Sequence, residues 1–111
     1  MRTMIDSLLS EVLMQGQFKT PGGKLVAVDF EIEDGTLRHV VVHGDFFLYP
    51  DDAFELLSAS IEGASIELSE ADLAERVRTA LEGRAELIGS SPEAVATAIT
   101  RGISAGNEAL S

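Results

Sequence analysis

The chain has 111 residues, 45% of them hydrophobic, which is enough for one domain with its own core and too few for a second. It has no cysteine, and this excludes disulfides, thiolate metal sites and cysteine nucleophiles. Nineteen acids against eight bases give a formal net charge of −11, and so negative a surface repels phosphate backbones and anionic membranes, so neither nucleic acid nor membrane is an expected partner.

The acidity is uneven: residues 1–50 hold seven acids and four bases, residues 51–111 twelve acids and four bases. It serves either solubility, including at high salt, or an acidic docking face. No apolar run approaches the roughly 18 residues of a spanning helix. Asp6 interrupts the stretch where a signal peptide would be continuously apolar. A cytoplasmic location is the expectation.

In chain order, Ile5, Leu8, Leu9, Val12 and Leu13 recur at helical spacing and predict an amphipathic helix over residues 1–14 that ends near Gly16. Its stripe is rich for an N-terminal arm, so Leu8, Leu9 and Val12 either complete the core or face a partner. Residues 15–48 read as strands. The first covers Gln15 to Thr20, and Pro21-Gly22-Gly23 turns it into the next. From Leu25 the period is two, with Val26, Val28, Phe30 and Ile32 facing one way and Ala27, Asp29, Glu31 and Glu33 the other. Asp34-Gly35 supplies the positive φ angles of a type I′ hairpin. The returning strand, Leu37 to His43, breaks alternation at Val40-Val41-Val42, so it is either covered on both faces or bulged near Arg38-His39.

Phe46 and Phe47 project to opposite sides of an extended segment, and an outward Phe next to Leu48 and Tyr49 makes Phe46-Phe47-Leu48-Tyr49 either core or a partner surface. After Pro50 the pattern is helical, over residues 50–104. Pro50, Asp51 and Asp52 suit a first turn, followed by the stripe Phe54, Leu57, Ile61 and a stop at Gly63. Ser69 caps a second helix through Leu73, Val77, Ala80 and Leu81, with Leu68 and Leu73 as a staple. A third begins at Ser91-Pro92-Glu93 and buries Val95, Ala98 and Ile99. Residues 105–111 read as a frayed tail. Strands followed by helices predict a single α+β domain of two layers, an antiparallel sheet of about three strands with helices on one face.

Titratable groups offer little chemistry. His39 and His43 lie four apart, roughly 13 Å along a strand, too far for one metal ion, and no other histidine or cysteine joins them. His43 is either half of an acid–base pair with Asp45 or a strand residue held by a neighbouring carboxylate. Ser69, Ser90 and Ser91 are explained by caps and loops. Pro21-Gly22-Gly23-Lys24 lacks the glycine spacing and the following helix of a phosphate loop. From the residues alone it is a tight hairpin whose glycines supply positive φ.

One local charge pattern stands apart. Phe18-Lys19-Thr20-Pro21-Gly22-Gly23-Lys24-Leu25-Val26-Ala27-Val28-Asp29 holds both lysines of the chain and no acid before Asp29, and Gly44-Asp45-Phe46-Phe47-Leu48-Tyr49-Pro50 follows. Together these motifs resemble the C-terminal accessory domain of lipoate–protein ligases, which in some organisms is a separate small chain. The resemblance spans roughly Gln17 to Gly102. It implies a fold similar to that of iron–sulfur scaffold proteins, and it marks Lys19, Gly22, Gly23, Lys24, Asp29, Gly44 and Asp45 as close to the adenylate, with Phe46 and Phe47 in the same motif.

The implied role is that of a non-catalytic subunit. The partner is a catalytic subunit, in a heterodimer, that binds ATP, magnesium and lipoate, forms lipoyl-adenylate and hands the lipoyl group to acceptor proteins. No cofactor of the small chain's own is expected. Without cysteines the chain cannot scaffold an iron–sulfur cluster, and it is too short to be a ligase alone. The alternative is an adaptor that docks through the apolar helix and Phe46-Phe47, independently of the lysines.

Overall fold

The computed structural model describes residues 14–19 and 22–110, the last five of these by backbone alone. Alternation organises the main sheet: β1 (Met14–Lys19), β2 (Leu25–Glu33) and β3 (Thr36–Gly44) lie antiparallel in the order β1-β2-β3. Met14 opens β1 instead of closing a helix; the helix expected before it, with Leu8, Leu9 and Val12, lies outside the described residues. Val26, Val28 and Phe30 are fully buried on the core face, as the period of two requires. Ala27 departs from its expected outward exposure. It is buried between its cross-strand neighbours Gln17 and His43, whose longer side chains cover a methyl group.

The β2–β3 hairpin turns at Asp34 (φ 54°) and Gly35 (φ 75°), the type I′ conformation that the Asp-Gly pair predicts. Of the two readings of β3, the bulge is correct. The register steps from Glu31 opposite Arg38 to Asp29 opposite Val41, so His39, at φ 54°, and Val40 together face Phe30. The extra residue puts Val40 and Val42 in the core and leaves Val41 outside.

Three helices cover one face. A short 3₁₀ turn, Asp51–Ala53, leads into α1 (Phe54–Ile61), followed by α2 (Glu70–Leu81) and α3 (Pro92–Leu110). The Ser69 hydroxyl accepts the Asp72 amide at 3.1 Å and the Ser91 hydroxyl accepts that of Ala94 at 3.1 Å, so both expected caps are present. Leu57, Ile61, Leu73, Val77, Val95, Ala98 and Ile99 join the sheet residues in one core. Helix α3 runs on past residue 104 to Leu110. Its Gly102 is buried because it packs directly on Gly16 of β1, where a β-carbon on Gly16 would lie 1.8 Å from the Ala98 carbonyl oxygen. Gly102 is therefore a contact point between α3 and β1.

The chain after Pro50 is not helical throughout. β4 (Phe47–Tyr49) and β5 (Glu86–Ile88) pair antiparallel in a second, two-stranded sheet, with Phe47 opposite Ile88, Leu48 opposite Leu87 and Tyr49 opposite Glu86. The outer edge of β3 is occupied. Glu62, just past α1, takes the amide hydrogens of His39 at 2.9 Å and Val40 at 3.0 Å on its two carboxylate oxygens. The Ser58 hydroxyl accepts from Val42 N at 3.3 Å, and residues 63–66 bond the start of the strand through Leu37 and Gly35. At the opposite edge, Arg101 of α3 donates to the Gln17 carbonyl at 3.4 Å and lies 4.8 Å from the Phe18 ring centre. Among the described residues the β3 edge offers no free ladder for an added strand.

Candidate functional site

The two motif segments meet where β1 ends, β2 begins and β3 ends. Lys19 is the last residue of β1 and pairs in register with Leu25, the first of β2; Val26 in turn faces Gly44 at the end of β3. Lys19, Gly23, Lys24, Leu25 and Asp45 line one open depression of about 420 Å³. Backbone geometry draws the rim tight. The Asp45 amide donates to the Leu25 carbonyl at 2.9 Å, and a β-carbon on Gly44 would stand 2.2 Å from that same oxygen, so no larger residue fits there at φ 150°. The second motif begins with glycine for this reason.

The turn itself refines the sequence reading. Its left-handed residue is Gly22, at φ 72°, with open space where a β-carbon would sit. Gly23 contributes by lining the depression. Both lysines are exposed, and among the described residues neither forms an ion pair. The depression thus carries two ammonium groups against the single carboxylate of Asp45. Such a donor set suits an anion; a metal cation would meet net repulsion.

Asp29 is not part of this depression. It lies further along β2 on the outer face, where Gln15 Nε2 donates to Oδ1 at 2.8 Å and His43 Nε2 stands 3.2 Å from Oδ2. That settles the histidine as well: the carboxylate neighbour of His43 is Asp29, and a His43–Asp45 acid–base pair is replaced by a surface contact across β2 and β3. His39 similarly meets Glu31 at 3.0 Å. Among the described residues no group of three or more metal-ligating side chains converges.

The expected partner surface divides. Phe46 and Leu48 are buried in the core, Phe46 with its ring centre 5.6 Å from that of Phe54, so neither can face a partner directly. Phe47 and Tyr49 point outward, 68% and 69% exposed, and Ile88 stands across from Phe47 on β5 at 49%. Two residues at this site were missed in the sequence. Ile88 sits in a strand too short to show a period. Gly89 (φ 90°) leaves room for the Lys24 stem, whose Cγ would be 2.9 Å from a β-carbon there, and its carbonyl accepts the Lys24 amide at 3.4 Å. A glycine after a short apolar run was the available signal.

Other hollows differ in character. One, of about 380 Å³, is lined by Glu70, Glu75, Glu93 and Arg78, and Arg78 is already paired with Glu75 and Glu93. Another, of about 320 Å³, runs from Arg78 past Leu81 and Leu87 to Ser90. Neither holds an acid–base pair or a nucleophile with a base. No helix among the described residues is long and apolar enough to cross a membrane.

No protein-family model matches the sequence, and a comparison with curated proteins finds no match. Among solved structures, the chain matches one from a study described as the structural analysis of an archaeal lipoylation system, a bipartite lipoate protein ligase and its E2 lipoyl domain from Thermoplasma acidophilum. The TM-score is 0.65 at 22% identity, over 79% of this chain and 94% of that one. At that identity the likeness is one of fold: this α+β domain has the architecture of a chain from that archaeal lipoylation system.

Proposed function

We propose that the chain is the non-catalytic accessory subunit of a two-chain lipoate–protein ligase, needed with a catalytic subunit for ATP-dependent activation of lipoate to lipoyl-adenylate. One observation carries the reading. Motif residues from separate segments, Lys19, Gly23, Lys24 and Asp45, converge on one cationic depression in a body of net charge −11, on a fold shared with a chain of a bipartite lipoate ligase system. ATP, magnesium and lipoate belong to the catalytic partner in this account, the location is cytoplasmic, and the complex is a heterodimer. The fold kinship with iron–sulfur scaffold proteins is part of the same reading, without cluster chemistry, since the chain has no cysteine.

The physical role follows from charge. Lipoate and ATP are anions, and closing a pocket over them excludes water and strengthens every remaining charge contact. Two exposed lysines on a chain of net charge −11 bring positive potential to that pocket. Lys24→Ala leaves the fold within about 0.5 kcal/mol, as expected for an exposed side chain. It slows adenylate formation in the complex while transfer from supplied lipoyl-adenylate survives. Separate assays of the two half-reactions test this: equal loss in both would indicate an assembly defect, and no loss in either would remove Lys24 from the function.

The adaptor reading keeps one observation in its favour, the exposed Phe47 and Tyr49, which need no lysine to dock. Capture of a partner unrelated to lipoate, with affinity unchanged in Lys19→Ala and Lys24→Ala, would favour it.

A further inference from the structure

The outward face of the two-stranded sheet is the most apolar exposed feature among the described residues. Phe47, Tyr49 and Ile88 project from it, Phe47 directly across the ladder from Ile88 and Tyr49 two residues further along the same side of β4. The opposite side of this sheet is engaged with the core. Leu48 turns from the same sheet into the core and Leu87 packs against it, and the β3 edge of the three-stranded sheet is bonded to Glu62 and its neighbours. Two large aromatics held outward on a short, tightly tied strand lose little rotamer freedom on binding, which is the profile of an interface anchor.

This face is continuous with the lysine depression through two short links. Asp45, on the rim, is two residues before Phe47; Gly89, which accepts the Lys24 amide, directly follows Ile88. The surface therefore has an aromatic centre with Lys19 and Lys24 at one margin and the exposed Glu86, paired across from Tyr49, at the other, on a chain of net charge −11.

We infer that the β4–β5 face is the docking surface for the catalytic subunit, and that the facing surface of that subunit is an apolar recess with anionic groups on the side that meets Lys19 and Lys24. This inference rests on the proposed function for the partner's identity and goes further in assigning the surface and the chemistry it recognises. An acidic margin on the partner, or a bound anion held there, complements Lys19 and Lys24. Acids elsewhere on this chain repel an alternative approach.

The test is the dissociation constant of the full chain with the catalytic subunit of its own organism's lipoate–protein ligase, for the wild type and for Phe47→Ser, Tyr49→Ser, Ile88→Ser and Val41→Ser. Circular dichroism melts establish that each variant folds. The first three should weaken binding by about tenfold or more each, the scale of a buried aromatic or aliphatic anchor. Val41, 52% exposed but on the outer face of the three-stranded sheet, should leave it unchanged. Raising ionic strength should weaken wild-type binding, and Lys19→Ala/Lys24→Ala should flatten that salt dependence. Tight wild-type binding that survives all three patch substitutions would overturn the surface assignment and leave the proposed function standing. Self-association of the chain through Phe47, measured by sedimentation without partner, would equally overturn it, assigning the face to a second copy. Absence of wild-type binding would instead count against the proposed function itself.

Discussion

Gly44 and Glu62 show how single residues hold the site and its support. A β-carbon at Gly44 collides with the Leu25 carbonyl oxygen, the same oxygen that accepts the Asp45 amide, so Gly44→Ala must part β2 from β3 beside the lysines. With the strain of φ 150° added, the expected loss is at least about 2 kcal/mol in urea unfolding. An unchanged midpoint would mean that the strand end relaxes freely. Glu62 satisfies two amides of the bulge at once, so Glu62→Ala should cost about 1–2 kcal/mol while Glu62→Gln, which keeps one acceptor oxygen, should cost about half as much. The same equilibrium unfolding checks the ordering. The local signals at this scale were legible: Asp34-Gly35 announced its turn and Ser69 and Ser91 their caps, while the triple valine left a bulge as one of two readings that the register decided. Glu62 was not, because it bonds residues 22 and 23 positions away and no spacing rule connects a post-helical glutamate to a strand bulge.

At the scale of elements, Gly16 and Gly102 let α3 lie on β1 closely enough for a backbone of one to meet that of the other. Alanine is a better helix former than glycine by about 1 kcal/mol, and Gly102→Ala would gain that much if propensity decided. The added carbon meets the Phe30 ring at 2.9 Å and the Gly16 amide nitrogen at 3.0 Å, in the middle of the core, so the expected result is a net loss of roughly 1–2 kcal/mol. Gly16→Ala faces a backbone carbonyl at 1.8 Å and should lose about 3 kcal/mol or more. Thermal melts of both variants rank the two effects, and a more stable Gly102→Ala would show that α3 can move off β1. The small and polar residues from 105 on carry no apolar stripe, which is why the sequence reads as a frayed tail where α3 continues to Leu110. β5 was hidden for a related reason. Three residues cannot display alternation, and only their pairing with β4 makes them a strand.

For the whole molecule, the charge distribution links fold to function. The helical half, with twelve acids against four bases, is the more acidic part, and both lysines sit together at one end of the sheet beside the outward aromatics. The lysine and glycine motif could be found in the sequence because its residues are consecutive and its charge is reversed. That Lys19, Lys24 and Asp45 share a depression while Asp29 does not required the register of three strands, since β-alternation sends Asp29 to the outer face with Gln15 and His43. The central claim is that this chain completes a ligase. Its most direct measurement is lipoate-dependent ATP–pyrophosphate exchange by the catalytic subunit with increasing amounts of this chain. The account predicts exchange that rises from background and saturates near one chain per catalytic subunit, whereas a rate unchanged at saturating chain would contradict it.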